Sequence, residues 1–581
     1  MKRIGNGSVW PFAIFCTLNW CIALAAEATR AEVRLPEVFS DHMVLQRYLD
    51  VPIWGTSEAN QTITVRFREQ TVVTVADDQG RWLVRLEPLE AGGPDPLVVE
   101  GCSTVEFRDV LVGDVWVGSG QSNMAGAVAS YAKDDPVLAQ WAEPSYDRLR
   151  LCRGQGGGWQ LADPATIRRF SALLFAFGHQ LHSELDVPIG LIVGAVGGTP
   201  SGRWMTQPML DVDQPSQQVL QIAAERHCPE RQRALYQHAL SAWEKAVQRS
   251  VEEGRREPRK PPRPVDVGQI RTGSVGDLYE IHIQPIVPFG IRGVLWDQGE
   301  GGTAIEGLDQ FHAMGALIRG WRKAWGQGDF PFLYVQKPSG GGCAWDPSDP
   351  VTHRADAFQP LPDQPAQGNE GGYRQLHSRI RLHPCTAMVT ARDLGSGVHP
   401  PNKSGYGRRA AQVALGFEYL KPVPIYGPMY ESHTIEGNRV RIKFRHVGKG
   451  LAWKHGDGLH GFSIAGSDRV FHWAQAEIDG DTVLVCSPDV DHPGIVRYAW
   501  AASSPWANLF NLDGLPAVAF STDGTFLVGE FRCEDRASPI LSYRSAHDDT
   551  QVTSLVVGVG DVVLPRVCPG CEAEFCHHQY R

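Results

Sequence analysis

The chain has 581 residues, 42% of them apolar and 21% charged, the balance of a globular protein and too long for one ordinary core. Its formal net charge of −10 argues against a nucleic-acid-binding surface. No later segment matches the apolar run near the N-terminus, so a multi-span membrane protein is excluded as well.

Residues 1–25 read as a secretory signal. Lys2 and Arg3 supply the positive start, Trp10 to Leu24 is largely apolar, and Ala23-Leu24-Ala25 has the small-x-small pattern of a cleavage site. The expectation is a secreted or periplasmic protein with no membrane association after cleavage. Cys16 and Cys21 fall in this stretch; export permits disulfides among the remaining cysteines without fixing their pairing.

From 33 to 110 the pattern predicts short strands. "TITVRF" and "TVVTV" alternate apolar and polar residues, and "DDQG" (Asp77 to Gly80) is a turn signal before "RWLVRL". From 111 to about 420 strands alternate with helices. "VWVGSGQSNM" is an apolar strand that breaks on glycine and presents Gln121, Ser122 and Asn123. Phe170, Leu173, Leu174, Phe177 and Leu181 then follow at helical spacing. "VPIGLIVGAVGG" and "IRGVLWDQGEGG" repeat the buried strand that ends in glycines. Leu308, Phe311, Met314, Leu317, Ile318 and Trp321 form an amphipathic helix, and "FPFLYVQ" is another strand. The alternation predicts a parallel sheet covered by helices, with the site beyond the carboxyl ends of its strands. An insertion at about 206–270 holds a helical stretch, Gln217 to about Glu253, and a charged, proline-rich connector. From 425 to 523, "NRVRIKF", "DGDTVLVCS" and "GIVRYAWA" predict a second β domain. Residues 524–581 show no pattern.

Esterase chemistry needs a hydroxyl nucleophile, a base of near-neutral pKa and donors for the oxyanion. Ser122 offers the first. His399, held before Pro400 and Pro401, offers the second. Gly197 and Gly198 can present backbone N–H groups. Each signal has a bland reading: Ser122 as a helix cap, His399 as a structural loop residue, Gly197-Gly198 as a turn.

Taken in order, the set resembles the sialate O-acetylesterase family of the SGNH-type esterases. The resemblance rests on Gly113 to Trp116 with Gly120 to Met124, on Gly190 to Ile192, Gly197 to Thr199 and Trp204, and on "RGVLWDQGE". Asp393 to Gly395, His399-Pro400 and "NKSGYG" complete the central blocks. "LPEVFSDHMVLQR", "IEGNRVRIKF" and "NLFNLDGLPAVAFSTD" extend the similarity from about Val33 to Asp523. It implies an SGNH-type α/β fold: a three-layer parallel sheet with helices on both faces, flanked by N- and C-terminal β-sandwich-like domains. It also implies Ser122 as nucleophile and His399 as base. Gly197, Gly198, Gln121, Asn123, Gln298, Glu300 and Gly302 are then expected to line the oxyanion and substrate site. An O-acetylated carbohydrate is the expected partner, with no cofactor, metal or nucleic acid.

Two departures from the family bear on the catalytic groups. Where the family carries an Asn after Gln-Gly-Glu, this sequence has Gly301-Gly302-Thr303. Where the family places an Asp shortly before the His, it has Ser396, Gly397 and Val398. Three readings stay open. A backbone carbonyl such as that of Ser396 orients His399; an acid from elsewhere, Asp393 or Glu300, substitutes; or the site binds glycan without turning it over. The run Gly299 to Thr303 could supply backbone donors, and Thr303 its hydroxyl, in place of the Asn. Asp297, where the family often has Tyr, is either a hydrogen-bonded loop residue or a partner of Arg203. In the tail, Cys568, Cys571, Cys576, His577 and His578 have the spacing of a zinc knuckle, against the plainer reading of a disulfide-bonded terminus. The competing functional class is a catalytically silent glycan-binding protein on the same fold; an acetylxylan-type substrate fits the same chemistry.

Overall fold

Apolar-polar alternation marks the strands at 62–67, 70–75 and 81–86 within residues 32–154 and 157–523, the described part of this computed structural model. The signal-like stretch and the Cys/His tail lie outside the described residues. β1 (Val44–Gln46), β2 (Val51–Thr56), β3 (Thr62–Phe67), β4 (Gln70–Val75), β5 (Arg81–Leu86) and β6 (Gly92–Glu100) precede β7 (Thr104–Gly120). The Asp77–Gly80 turn is present, with the Gly80 N–H donating to the Asp77 carbonyl at 2.8 Å. It does not close a hairpin, however: β4 pairs with β3, and β5 with β2.

β7 is the backbone of the architecture. Its 17 residues alternate between exposed and half-buried up to Asp109 and are buried from Val110 to Gly120. The first part lies antiparallel to β6. The second lies parallel to β10 (Ile189–Ala195) on one side and β11 (Gly293–Asp297) on the other. The sequence boundary at 110/111 therefore falls inside one continuous strand. With β8 (Tyr146–Arg153), β9 (Trp159–Ala162), β12 (Phe332–Val335) and β13 (Thr386–Val389), the sheet runs β13-β12-β11-β7-β10-β8-β9. All pairs along it are parallel except β8 with β9, so the central sheet is mixed where a parallel one was expected.

Helices α1 (Ser122–Ala125), α2 (Ala172–Leu185), α3 (Gln214–Arg226), α4 (Pro229–Glu252), α5 (Gln310–Trp325) and α6 (Lys403–Phe417) accompany the sheet. The helical stretch of the insertion is thus two helices, with Pro229 opening the second. On one face Trp116 meets Phe177 of α2 at 5.1 Å between ring centroids; on the other Trp296 meets Trp321 of α5 at 6.0 Å. Trp296 pairs in register with Ser119, three residues beyond Trp116, so the two rings point to opposite faces.

One buried carboxylate ties the sheet to its surroundings. Asp114 of β7 is fully buried and accepts paired hydrogen bonds from Arg47 (2.9 and 2.8 Å) and from Arg292 (3.2 and 3.1 Å). Gln46 Nε2 and the Tyr419 hydroxyl complete its shell at 3.1 and 3.0 Å. Burial alone would raise this carboxyl, but Arg292 and Arg47 outweigh it and hold the pKa down to about 2.

Beyond α6 the chain returns to strands. Met429–Glu436, Arg439–Arg445, Thr482–Cys486 and Gln475–Asp479 form an antiparallel sheet in that order. A second apolar core gathers Phe444, Phe462, Tyr498 and Phe520. Among the described residues no helix is long and apolar enough to cross a membrane.

Candidate active site

The carboxyl ends of β7, β10 and β11 converge at Gly120, Ala195 and Asp297. Gly120 has φ +127°, and a Cβ there would lie 2.2 Å from the Asp297 carbonyl oxygen, so only glycine lets β7 turn so close to β11. The Gln121 N–H then donates to that carbonyl at 2.8 Å. Ser122 comes next, as the first residue of α1, where a backbone N–H has no intrahelical acceptor.

His399 approaches from the loop between β13 and α6. Asn402 caps α6 by accepting from the Gly405 N–H at 3.1 Å, which ends that loop. His399 is exposed, and its Nε2 lies 2.9 Å from Ser122 Oγ. Residues 277 apart in sequence thus meet at hydrogen-bond distance. Ser122 is the hydrogen-bond partner of the His399 ring among the described residues. Gly197 flanks the pair: a Cβ on it would stand 3.5 Å from Ser122 Cβ. Gly198, at φ +72°, faces open space.

Several expected residues have other employment. Asp393 is fully buried and binds Arg409 through both oxygens, at 3.1 and 2.9 Å; no bond joins it to His399. Proximity in sequence misled here, because the partner that neutralises Asp393 comes from α6. Glu300 accepts from Gln121 Nε2 at 2.5 Å and lies 3.0 Å from Lys337 Nζ, so it is not the acid on His399 either. Nor does the Ser396 carbonyl hydrogen-bond the His399 ring. Gln298 is buried: its Nε2 donates to the Gly302 carbonyl at 2.9 Å and its Oε1 accepts from Gln310 at 3.1 Å. The Gly302 N–H closes a turn onto Gly299 at 2.9 Å. The Thr303 hydroxyl serves the Ile305 and Leu308 carbonyls. Those two donors of the glycine loop are spent on its own geometry. A groove of about 590 Å³ lined by Trp54, Trp82 and Leu83 holds none of these residues.

Beneath the pair lies a buried charge cluster that sequence reasoning missed in part. Asp297 does not pair with Arg203, which binds Asp277; its Oδ1 lies 2.8 Å from Lys337 Nζ. Burial raises the Asp297 carboxyl. Burial also works against the Lys337 charge, but Asp297 and Glu300 prevail and raise its pKa. Lys403, the first residue of α6, is equally buried, and its Nζ donates to Asn123 Oδ1 at 2.6 Å. Asn123 Nδ2 in turn donates to the Val398 carbonyl at 3.0 Å. Both ends of the Asn123 amide are therefore occupied. Among the described residues no His, Cys, Asp and Glu cluster could hold a metal ion.

The family model for a carbohydrate esterase, sialic acid-specific acetylesterase, matches residues 112–254, a segment that includes Ser122, Gly197 and Gly198. Rat sialate O-acetylesterase is 26% identical over 372 residues, 57% of this chain and 65% of its own length. The human sialate O-acetylesterase is 25% identical over 543 residues, 80% of this chain and 87% of its own. The matched segment thus spans just under two thirds of the rat relative. Among solved structures, a carbohydrate acetylesterase from Xanthomonas citri superposes with a TM-score of 0.65 at 28% identity, covering 85% of this chain and 100% of that one.

Proposed function

We propose that this chain, a divergent member of the sialate O-acetylesterase family, removes O-acetyl groups from sugars by covalent catalysis on Ser122. The family is one of esterases. The observation that carries the reading to these residues is the 2.9 Å approach of His399 Nε2 to Ser122 Oγ at the carboxyl end of the sheet.

The proposed steps use the groups that the fold brings together. His399 takes the proton of Ser122 Oγ as the oxygen attacks the acetyl carbonyl. The N–H groups of Ser122 and Gly198 steady the oxyanion. The sugar hydroxyl leaves with the proton from His399, and water, activated by the same imidazole, releases acetate from Ser122. The base works as a dyad with the serine. Export by the N-terminal stretch, to the periplasm or the exterior, and an acetylated glycan as substrate belong to the same proposal.

A fluorophosphonate probe with mass mapping tests it, followed by acetate release from O-acetylated sialic acid and from acetylxylan. Label on Ser122 with acetate release supports the esterase. No label, with the same glycans bound and unchanged, establishes instead the silent binding protein that the missing acid at His399 and the missing Asn at Gly302 would suit.

His399→Ala should cut turnover by at least about 10²-fold, the usual scale for a lost general base. Asp393→Asn should act differently: it breaks the Arg409 pair and lowers the unfolding midpoint, while kcat at a permissive temperature stays near that of the wild type. A kcat loss for Asp393→Asn as deep as that for His399→Ala would return Asp393 to the base.

A further inference from the structure

In a serine esterase the acid on the base fixes the imidazole in place and in tautomer. Among the described residues His399 has no such partner, and it ends a run of four exposed residues, Ser396 to His399, that includes Gly397 at φ +91°. A loop of that kind needs a tether. The structure has one at the peptide just before the base, where Asn123 Nδ2 donates to the Val398 carbonyl. Asn123 directly follows Ser122, so one amide side chain joins the nucleophile's helix to the base's loop.

That amide must face the right way, and Lys403 and the Val398 carbonyl fix it together. With Lys403 Nζ 2.6 Å from Oδ1, a flipped amide would set its NH2 group against the amine and its oxygen against the Val398 carbonyl. Lys403 is itself held between the rings of Tyr131 and Tyr406, 4.5 and 5.5 Å from their centroids. A lysine this deep is costly unless its donors are used. Burial pulls its pKa down to about 7; Asp297, Glu300 and Asp135 oppose that, and Lys337 adds to it. Charged or neutral, the amine keeps an N–H for Asn123, so the tether does not depend on the protonation state.

We propose that Lys403 is a positioning residue for the esterase reaction: through Asn123 it holds the Val398–His399 peptide against the helix of Ser122, and so performs the orienting task that an acid beside His399 performs elsewhere. The proposal rests on the esterase reading above.

The test uses the full chain and reads acetate release and the rate of fluorophosphonate labelling. Lys403→Met should lower kcat by about tenfold or more with KM within about twofold, the split expected when an interaction serves the reacting groups and not substrate binding. Asn123→Ala should do the same. The double variant should be no slower than the slower single one, because the two residues act in series. Asn123→Ala removes the middle of the tether while keeping the Lys403 amine in the chain, and it carries the test alone if Lys403→Met does not fold. Unchanged kcat in both single variants would falsify the proposal, and so would losses that multiply in the double variant. If the wild-type chain neither labels nor releases acetate, the esterase reading falls first, and the positioning role goes with it.

Discussion

Replacing Ser122 with alanine is expected to remove acetate release by at least about 10⁴-fold while the fold stays intact. The loss is large because nothing nearby can replace the hydroxyl. Ser119 is buried inside β7, and Ser201 sits at full burial, bonded to Gly302 and Gln310. The fold should be indifferent, since Ser122 Oγ bonds only to the exposed His399 among the described residues. Removing it leaves no buried donor or acceptor stranded. Comparing kcat with the urea midpoint for both proteins checks each half. Retained turnover in the alanine variant would move the nucleophile elsewhere.

The second large effect concerns stability. Asp114→Ala should cost about 3–5 kcal/mol in urea unfolding, the range for breaking a buried ion pair by removing one partner. Arg292, only 3% exposed, would be left without its principal partner, and Arg47 and Tyr419 would lose theirs. The pH dependence has a definite sign. The folded pKa of Asp114 is held at about 2, below the ordinary 3.8, so its contribution is complete above about pH 4 and is lost as the pH falls toward 2. Wild-type stability should therefore drop more steeply across that window than that of Asp114→Asn. Parallel curves would show that Asp114 is not the acid-labile tie.

Much of this was legible in the residues. The glycine that ends β7 marked Ser122 as a candidate, and the His-Pro-Pro loop marked His399, because both signals are local; that the two lie 2.9 Å apart is what the fold adds. The strands and the two main helices followed from periodicity. The charge cluster was less legible. Lys337 and Lys403 are buried, whereas lysine is the side chain least expected inside, and no spacing rule places one beneath a serine. Lys403 lies within the "NKSGYG" block, but its contact with Asn123 joins residues 280 apart. Asp393 was misjudged because distance along the chain stood in for distance in space. The change of pattern at Val110 suggested a domain border. In fact β7 passes from a half-exposed sheet to a fully covered one there, and the residues change with the surroundings while the strand goes on.

That continuity governs how the protein can be dismantled. The N-terminal strands are not a cassette that could be shed, exchanged or appended to another protein at residue 110. A cut there would sever a strand midway, and β1, which pairs with Leu111, Val112 and Gly113, would leave with the discarded piece. Arg47, which follows β1, would go with it and take away half of the cationic clamp on Asp114. A shortened chain that keeps Ser122 in place would have to begin before Val44. Heat or denaturant should accordingly release the first strands and the serine-bearing sheet in a single transition.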